Sequence, residues 1–488
     1  MLRIFLILIL LLPFSKIKAG SLARIDSIIV HASQDTLLRH AQWGLYAVYL
    51  KSGKVLINHN ALFALAPASG QKILTTGTAL MQLGENFRFK TRIFYKGKID
   101  ANGVLHGDVY LVGGGDPTLG SAVVAGSLDL PQVLAHWLAD FQKAGIRKVT
   151  GHIFGDDLLF TDRTIPDNWV WVDMGNYYGA SSPALTIHNN FYYLLFAPGK
   201  HKGDPTRLLG TQPFIPGLTF RNLVRTGAPR SGDNGYIYCA PGQFKAYVTG
   251  TIPAGVDTFT IKGAIPDPTL FAVQHLRTYL INHGIPVLQS AQRLIGPQNY
   301  TNARLLSQLE SPPLKDIVFQ TNKRSINLYC ELLAKQLSVK TGGPGTTADG
   351  LKVIRKNLQA MGVPTDGLHL SDGSGLSRTN TVTPRLMVAF LRKMTTQSCF
   401  NTFYNSLAVT GDPNDIGYFK NWGQGTPLAF NAHLKSGLIE RVRSHSGYLK
   451  DRSGRCIVFS FIANNFKGNY HLVDKIHEKL LIELCQLP

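Results

Sequence analysis

Cysteine is scarce in this chain of 488 residues, and the five present lie far apart, with no C-x-x-C pair. Cys239, Cys330, Cys399, Cys456 and Cys485 read as buried thiols, with room for a single unassigned disulfide. The spacing excludes a disulfide-stapled scaffold. The 15 histidines never fall into H-E-x-x-H or a Cys/His ligand spacing, so no metal is expected. A G-x-x-x-x-G-K-[ST] phosphate loop is missing too, and no organic cofactor is implied. Gly113-Gly114-Gly115-Asp116-Pro117 reads instead as a turn after a strand over residues 108–112. Low-complexity tracts are absent, and 44% hydrophobic with 16% charged residues is the composition of a globular protein. No stretch after the N-terminus is long and apolar enough for a membrane helix.

Acid is in short supply. Asp and Glu number 30 against 50 Lys and Arg, for a formal net charge of +20. A surface of that sign attracts polyanions. The N-terminus narrows the choice: Arg3 precedes a short apolar run over residues 4–14, and Ser15-Lys16-Ile17-Lys18-Ala19 offers a cleavage point after Ala19. This is the pattern of a signal peptide, with a retained anchor as the alternative. Removal takes the charge from +20 to +17, because Arg3, Lys16 and Lys18 leave and no acid leaves with them. Export to a periplasm of the Gram-negative type favours anionic wall polymers or lipid headgroups over nucleic acid. A high isoelectric point with no specific partner also stays open.

A chain of this length divides into two to four domains. Strand alternation over residues 44–55, with a turn at Lys51-Ser52-Gly53-Lys54, leads to a helix over 69–83 closed by Gly84. From about residue 87 to 265 the chain is rich in short strands and Gly/Pro turns, around one helical period near 130–144. Helical patterns return over 269–283, 317–337, 350–361 and 383–394. A hairpin pairs 431–450 with 456–465 about the turn Asp451-Arg452-Ser453-Gly454, and a helix over 472–484 ends the chain. Helices and strands at both ends with a β-rich block between predict an α/β (α+β) domain interrupted by an insertion.

Three short motifs carry chemistry. In Ser69-Gly70-Gln71-Lys72, hydroxyl and amine three residues apart share a helix face. A lysine of depressed pKa would take the serine proton, and the helix start offers N–H groups to an oxyanion. Alone the pattern is weak, since Ser15 to Lys18 repeats it. Ser325-Ile326-Asn327 precedes a helix; its side chains would relay a proton and hold a substrate amide, or simply cap the helix. Lys435-Ser436-Gly437 sits on a strand whose edge can pair with an extended peptide, the lysine and hydroxyl binding a terminal carboxylate. Its decoys are Lys51-Ser52-Gly53, in a hairpin turn, and Lys340-Thr341-Gly342, at a helix end where a C-cap needs such residues. S-x-x-K, S-x-N and K-[ST]-G in this order are the set of penicillin-binding proteins and serine β-lactamases.

With these motifs, with Leu111-Val112-Gly113-Gly114-Gly115-Asp116-Pro117-Thr118, Trp169-Val170-Trp171-Val172-Asp173-Met174, Asp372-Gly373-Ser374-Gly375-Leu376-Ser377-Arg378 and Ser446-Gly447-Tyr448, nearly the whole mature chain resembles one family. These are the class C low-molecular-mass penicillin-binding proteins, D-Ala-D-Ala carboxypeptidase/endopeptidases of the penicillin-binding protein 4 type (peptidase family S13). The resemblance implies a penicillin-binding-protein/β-lactamase-like peptidase domain from residues 20–86 and 300–488, after the signal peptide at 1–19. It further implies an insertion domain from 87–200 and 262–299, and a nested β-rich domain over 201–261. By resemblance Ser69 is the nucleophile, Lys72 its base and Ser325 the proton relay. Asn327 binds the acyl-side backbone, Lys435, Ser436 and Gly437 the substrate carboxylate and backbone, and the N–H groups of Ser69 and Leu438 the oxyanion. Asp167 and Arg378 line the cleft around the penultimate side chain. The substrate implied is a peptidoglycan peptide, with β-lactams as covalent inhibitors. The charged run Leu438-Ile439-Glu440-Arg441-Val442-Arg443 departs from the family's usual small residues, as does Ser436 from threonine and 407–413 from the usual Gly-Thr-Leu. A serine β-lactamase and a catalytically silent wall-binding protein are the competing readings.

Overall fold

The computed structural model describes residues 20–161 and 163–488, so the signal-peptide reading of residues 1–19 lies outside the described residues. The two ends of the chain build one antiparallel sheet. Its order is Ala408–Val409, His433–Ile439, Val442–Lys450, Cys456–Asn464, Gln42–Tyr49 and Val55–His59. Its central strands read as nearly unbroken apolar runs because both faces are covered. Leu45, Ala47, Phe459 and Phe461 pack with Ile25 of the helix Ser21–Gln34 and Leu480 of the helix Tyr470–Cys485. Val48, Val458 and Ile462 face the other way, into the core of Lys72–Leu83, Leu314–Arg324, Asn327–Lys340 and Pro384–Met394.

Everything between residues 84 and 313 is inserted between the second and third strands of that sheet. A second sheet runs Ala291–Arg293, Ile153–Asp156, Val104–Val112, Lys90–Ile99 and Arg304–Glu310, with Lys148–Val149 beside Val104–Val112. Helix Leu130–Lys143, started by a capping box between Asp129 and Gln132, packs in its core with helix Pro268–Asn282, capped by Asp267. Beyond lie a three-stranded sheet (Phe259–Ala264, Phe191–Ala197, Arg207–Gln212) and a four-stranded one (Arg225–Gly227, Lys245–Pro253, Asn234–Tyr238, Thr219–Asn222). Among the described residues no helix is long and apolar enough to cross a membrane.

Two sequence expectations need correction. The helix expected over 317–337 is two helices, parted where Ser325 turns left-handed at φ 59°. The strand expected over 431–450 is also broken. Its central residues Glu440 and Arg441, the latter at φ 57°, make a tight turn between antiparallel strands. The terminal unit is therefore a three-stranded meander.

The motif strand His433–Ile439 is pressed onto the one-turn 3₁₀ segment Ala68–Gln71 that opens the helix Lys72–Leu83. A Cβ at Gly437 would stand 2.2 Å from the Pro67 carbonyl oxygen and 2.7 Å from the Gly70 nitrogen, both backbone atoms that cannot give way. Gly437→Ala therefore forces strand and turn apart, and should lower the unfolding free energy by about 1–3 kcal/mol. Chemical denaturation measures it; an unchanged midpoint would contradict so close an approach.

Candidate active site

Ser69 projects from a sharp corner. Ala68, just before it, is held at φ 46°, a left-handed conformation costly for alanine. The corner is fixed from outside: Gly375 approaches the Ala68 carbonyl so closely that a Cβ there would come within 1.9 Å. Ser69 is left half-buried, its hydroxyl 2.9 Å from the Lys72 amine one turn later.

Lys72 is fully buried, and its amine has three polar neighbours. Besides Ser69 Oγ these are Asn327 Oδ1 at 2.5 Å and the Ser374 carbonyl at 2.7 Å. The Asn327 amide is oriented by its Nδ2, which donates to the Tyr178 carbonyl at 2.8 Å, so Oδ1 faces the lysine. Two neighbours can thus only accept. Burial lowers the lysine pKa, opposed by the fields of Cys330, Asp372 and Glu331. A neutral amine has two N–H bonds and one lone pair. With the N–H bonds committed to Asn327 and Ser374, the lone pair is left for the Ser69 hydroxyl proton.

Ser325 is the left-handed residue between its two helices, and Lys435 donates to its Oγ at 2.9 Å and to the Ser436 carbonyl at 2.8 Å. Burial, then the nearby charge of Lys72, pushes the Lys435 pKa well down. Along the motif strand, Ser436 is half-buried and Leu438 exposed. Ala408–Val409 pairs only with His433 and Leu434, so among the described residues the outer edge from Lys435 onward is unpaired. The structure thus gathers Ser69, Lys72, Ser325, Asn327, Lys435 and the Ser436-Gly437-Leu438 edge into one place.

It does not bring in Asp167. That carboxylate is largely exposed and ion-paired with Arg163 four residues earlier. The acid that meets Arg378 is Asp173, from the turn Trp171–Met174: the guanidinium donates to it at 2.9 Å, and Asp173 is buried. The two acids lie six residues apart, and only the path of the loop decides which turns inward.

Sequence reasoning also missed the groups that hold Ser374. Glu331, one helical turn after Asn327, accepts from the backbone N–H groups of Gly373 and Ser374 at 3.1 and 2.9 Å. Burial, with Asp372 nearby, raises its pKa to about 7. Asp372 accepts from Gly375 and Ser377 N–H groups at 2.7 and 2.6 Å, from Trp169 Nε1 at 2.9 Å and from Asn380 Nδ2 at 2.8 Å. The i, i+4 spacing of Asn327 and Glu331 was the one available signal. All five cysteines are unpaired, and Cys330 is buried close to both lysines.

Comparison with known proteins agrees with this geometry. The chain is 30% identical over 453 residues to a D-alanyl-D-alanine carboxypeptidase of an Actinomadura species, covering 91% of this chain and 81% of the relative. It is 24% identical to the D-alanyl-D-alanine carboxypeptidase DacB of Haemophilus influenzae, over 87% of this chain and 85% of that one. The crystal structure of penicillin binding protein 4 from H. influenzae superposes with a TM-score of 0.79 at 22% identity, covering 95% of this chain and 99% of that one. The D-Ala-D-Ala carboxypeptidase 3 (S13) family matches residues 24–480, and the chain belongs to that family.

Proposed function

We propose that this protein is a serine D-Ala-D-Ala peptidase that cleaves peptidoglycan peptides through an acyl-enzyme on Ser69. One observation carries the reading: a buried Lys72 whose two N–H acceptors leave its lone pair for the Ser69 proton. In that state Lys72 takes the Oγ proton as Oγ attacks the carbonyl carbon of the D-Ala-D-X bond. The oxyanion forms against the N–H groups of Ser69 and Leu438. Collapse breaks the C–N bond, and the proton held by Lys72 passes by way of the Ser325 hydroxyl, in contact with Lys435, to the leaving amine, which returns Lys72 to its neutral form. Water then hydrolyses the ester, Lys72 again serving as base, and Ser69 is restored.

Lys435, Ser436 and the free strand edge hold the terminal carboxylate and backbone, and Asn327 the acyl-side amide. Arg378, held by Asp173, faces the penultimate side chain, with Asp173 rather than Asp167 as the acid beside it. Carboxypeptidase and endopeptidase activities use the same serine and differ in what fills the leaving-group side. A β-lactam meets the same nucleophile, and the relative from H. influenzae has been crystallised with one. The N-terminal pattern and the substrate support a site outside the cytoplasmic membrane, in a periplasm, with the basic surface available to anionic lipid or wall polymers.

Intact mass after incubation with benzylpenicillin should show one drug-sized adduct on the mature protein and none on Ser69→Ala. Turnover without a lasting adduct would mean a β-lactamase, and a folded protein with neither would mean a binding protein. Lys72→Gln keeps a donor for the Ser374 carbonyl but has no basic lone pair. Its acylation rate should fall by about 10²–10⁴. A fall of less than about tenfold would move the base elsewhere.

A further inference from the structure

The charged residues after the third motif include one that does not lie on the surface. Arg443 is buried on the strand Val442–Lys450, directly across from Leu438. Its guanidinium forks onto Asp474 of the C-terminal helix, Nε to Oδ1 at 2.5 Å and Nη2 to Oδ2 at 3.2 Å. The remaining Nη1 donates to the Gly437 carbonyl at 3.4 Å. The cation also lies 5.4 Å from the centroid of the Tyr470 ring.

Behind this pair runs a chain of buried groups whose proton positions can be deduced. Trp43 Nε1 can only donate, so His477 Nε2, 3.0 Å away, accepts. A neutral His477 then carries its proton on Nδ1 and gives it to His445 Nδ1 at 2.9 Å. His445 in turn carries its proton on Nε2, which lies 3.6 Å from Asp474 Oδ1, beyond hydrogen-bond reach, and has no other hydrogen-bond partner among the described residues. Burial first, and the Arg443 charge second, keep both imidazoles neutral: His477 is pushed to about 3, and His445 well below its ordinary value. The hydrogen-bonded chain ends at His445, packed beside Asp474, and Asp474 itself holds Arg443. The mechanism above uses none of these groups.

What the fork reaches is the peptide unit between Gly437 and Leu438. In an antiparallel strand the C=O and N–H of one peptide project to opposite edges. The Gly437 carbonyl faces the hairpin partner, where Arg443 meets it, so the Leu438 N–H faces the free edge. A charged donor on the carbonyl polarises the amide and makes its N–H a stronger donor. The same contact fixes the tilt of the peptide.

We infer that Arg443, anchored by Asp474, is a positioning residue that orients and polarises the Gly437–Leu438 peptide for the oxyanion. This rests on the reading of Leu438 N–H as an oxyanion donor. Arg443 touches no substrate and acts through that peptide alone.

The test separates the chemical step from binding. For Arg443→Met the acylation rate constant at saturating benzylpenicillin should fall by about tenfold. That is less than the 10²–10³ for loss of an oxyanion donor outright. The dissociation constant of the reversible complex should change by less than about twofold. A boronate that forms a tetrahedral adduct on Ser69 should weaken in parallel with acylation. Arg443→Lys keeps the charge near Asp474 but not the fork, and should recover part of the rate. Arg443→Met leaves Asp474 buried and unpaired, so the double variant Arg443→Met/Asp474→Leu, which removes both charges, keeps a folded protein available. A folded double variant that acylates at the wild-type rate would overturn the inference, whatever its melting temperature. Failure of the wild type to form a Ser69 adduct would instead overturn the function proposed above.

Discussion

A lysine amine shut away from water, with two fixed acceptors and one hydroxyl around it, is the contact on which the rest of the site depends. An ammonium at that depth is costly, so the fold favours the neutral form. The acceptors decide where the lone pair goes. Asn327 presents its oxygen because Tyr178 takes its amide hydrogen, and Ser374 presents its carbonyl because Glu331 and Asp372 bind the backbone on either side of it. The acids are thus one step removed from the chemistry. They set the shape of a loop, and the loop sets the protonation geometry of the base.

The same logic explains why the peptidase half is made from both ends of the chain. Ser69 and Lys72 come from the first strand-to-helix connection, Ser325 and Asn327 from the junction of two helices, and Lys435 from the terminal meander. They meet because Gln42–Tyr49 pairs with Cys456–Asn464 and because glycines at 375 and 437 let backbone approach backbone beside the serine corner. The inserted sheets reach the site through Tyr178, Trp169 and Asp173, which bind Asn327, Asp372 and Arg378. Substrate-side and base-side groups are therefore tied together across the insertion.

Much of this was legible in the sequence where the chemistry is local. Serine and lysine on one helical turn, or lysine followed by a small hydroxyl residue and glycine on a strand, leave a readable spacing. The decoys were separable for the same reason. Gly53 turns at φ 71°, and Lys340 ends a helix followed by Gly342 at φ 79°. What could not be read was made by tertiary contact. A backbone carbonyl such as that of Ser374 has no sequence signature, and a buried glutamate looks like any helical glutamate. Asp173 and Asp167 share one run and differ only in the way the loop turns. Arg443 looked like a charge in a hairpin because its partner, Asp474, is 31 residues away.

The pH dependence of the acylation rate constant at Ser69, measured with benzylpenicillin at saturation, tests the central claim most directly. A base of depressed pKa is active once deprotonated, so the rate should rise with pH through the lysine's own pKa. It should then level off below the ordinary lysine value of about 10.4. Lys72→Gln should lose that limb along with most of its rate. A rate that climbs only through the ordinary lysine range, or a limb that survives in Lys72→Gln, would show that the buried amine is not the base.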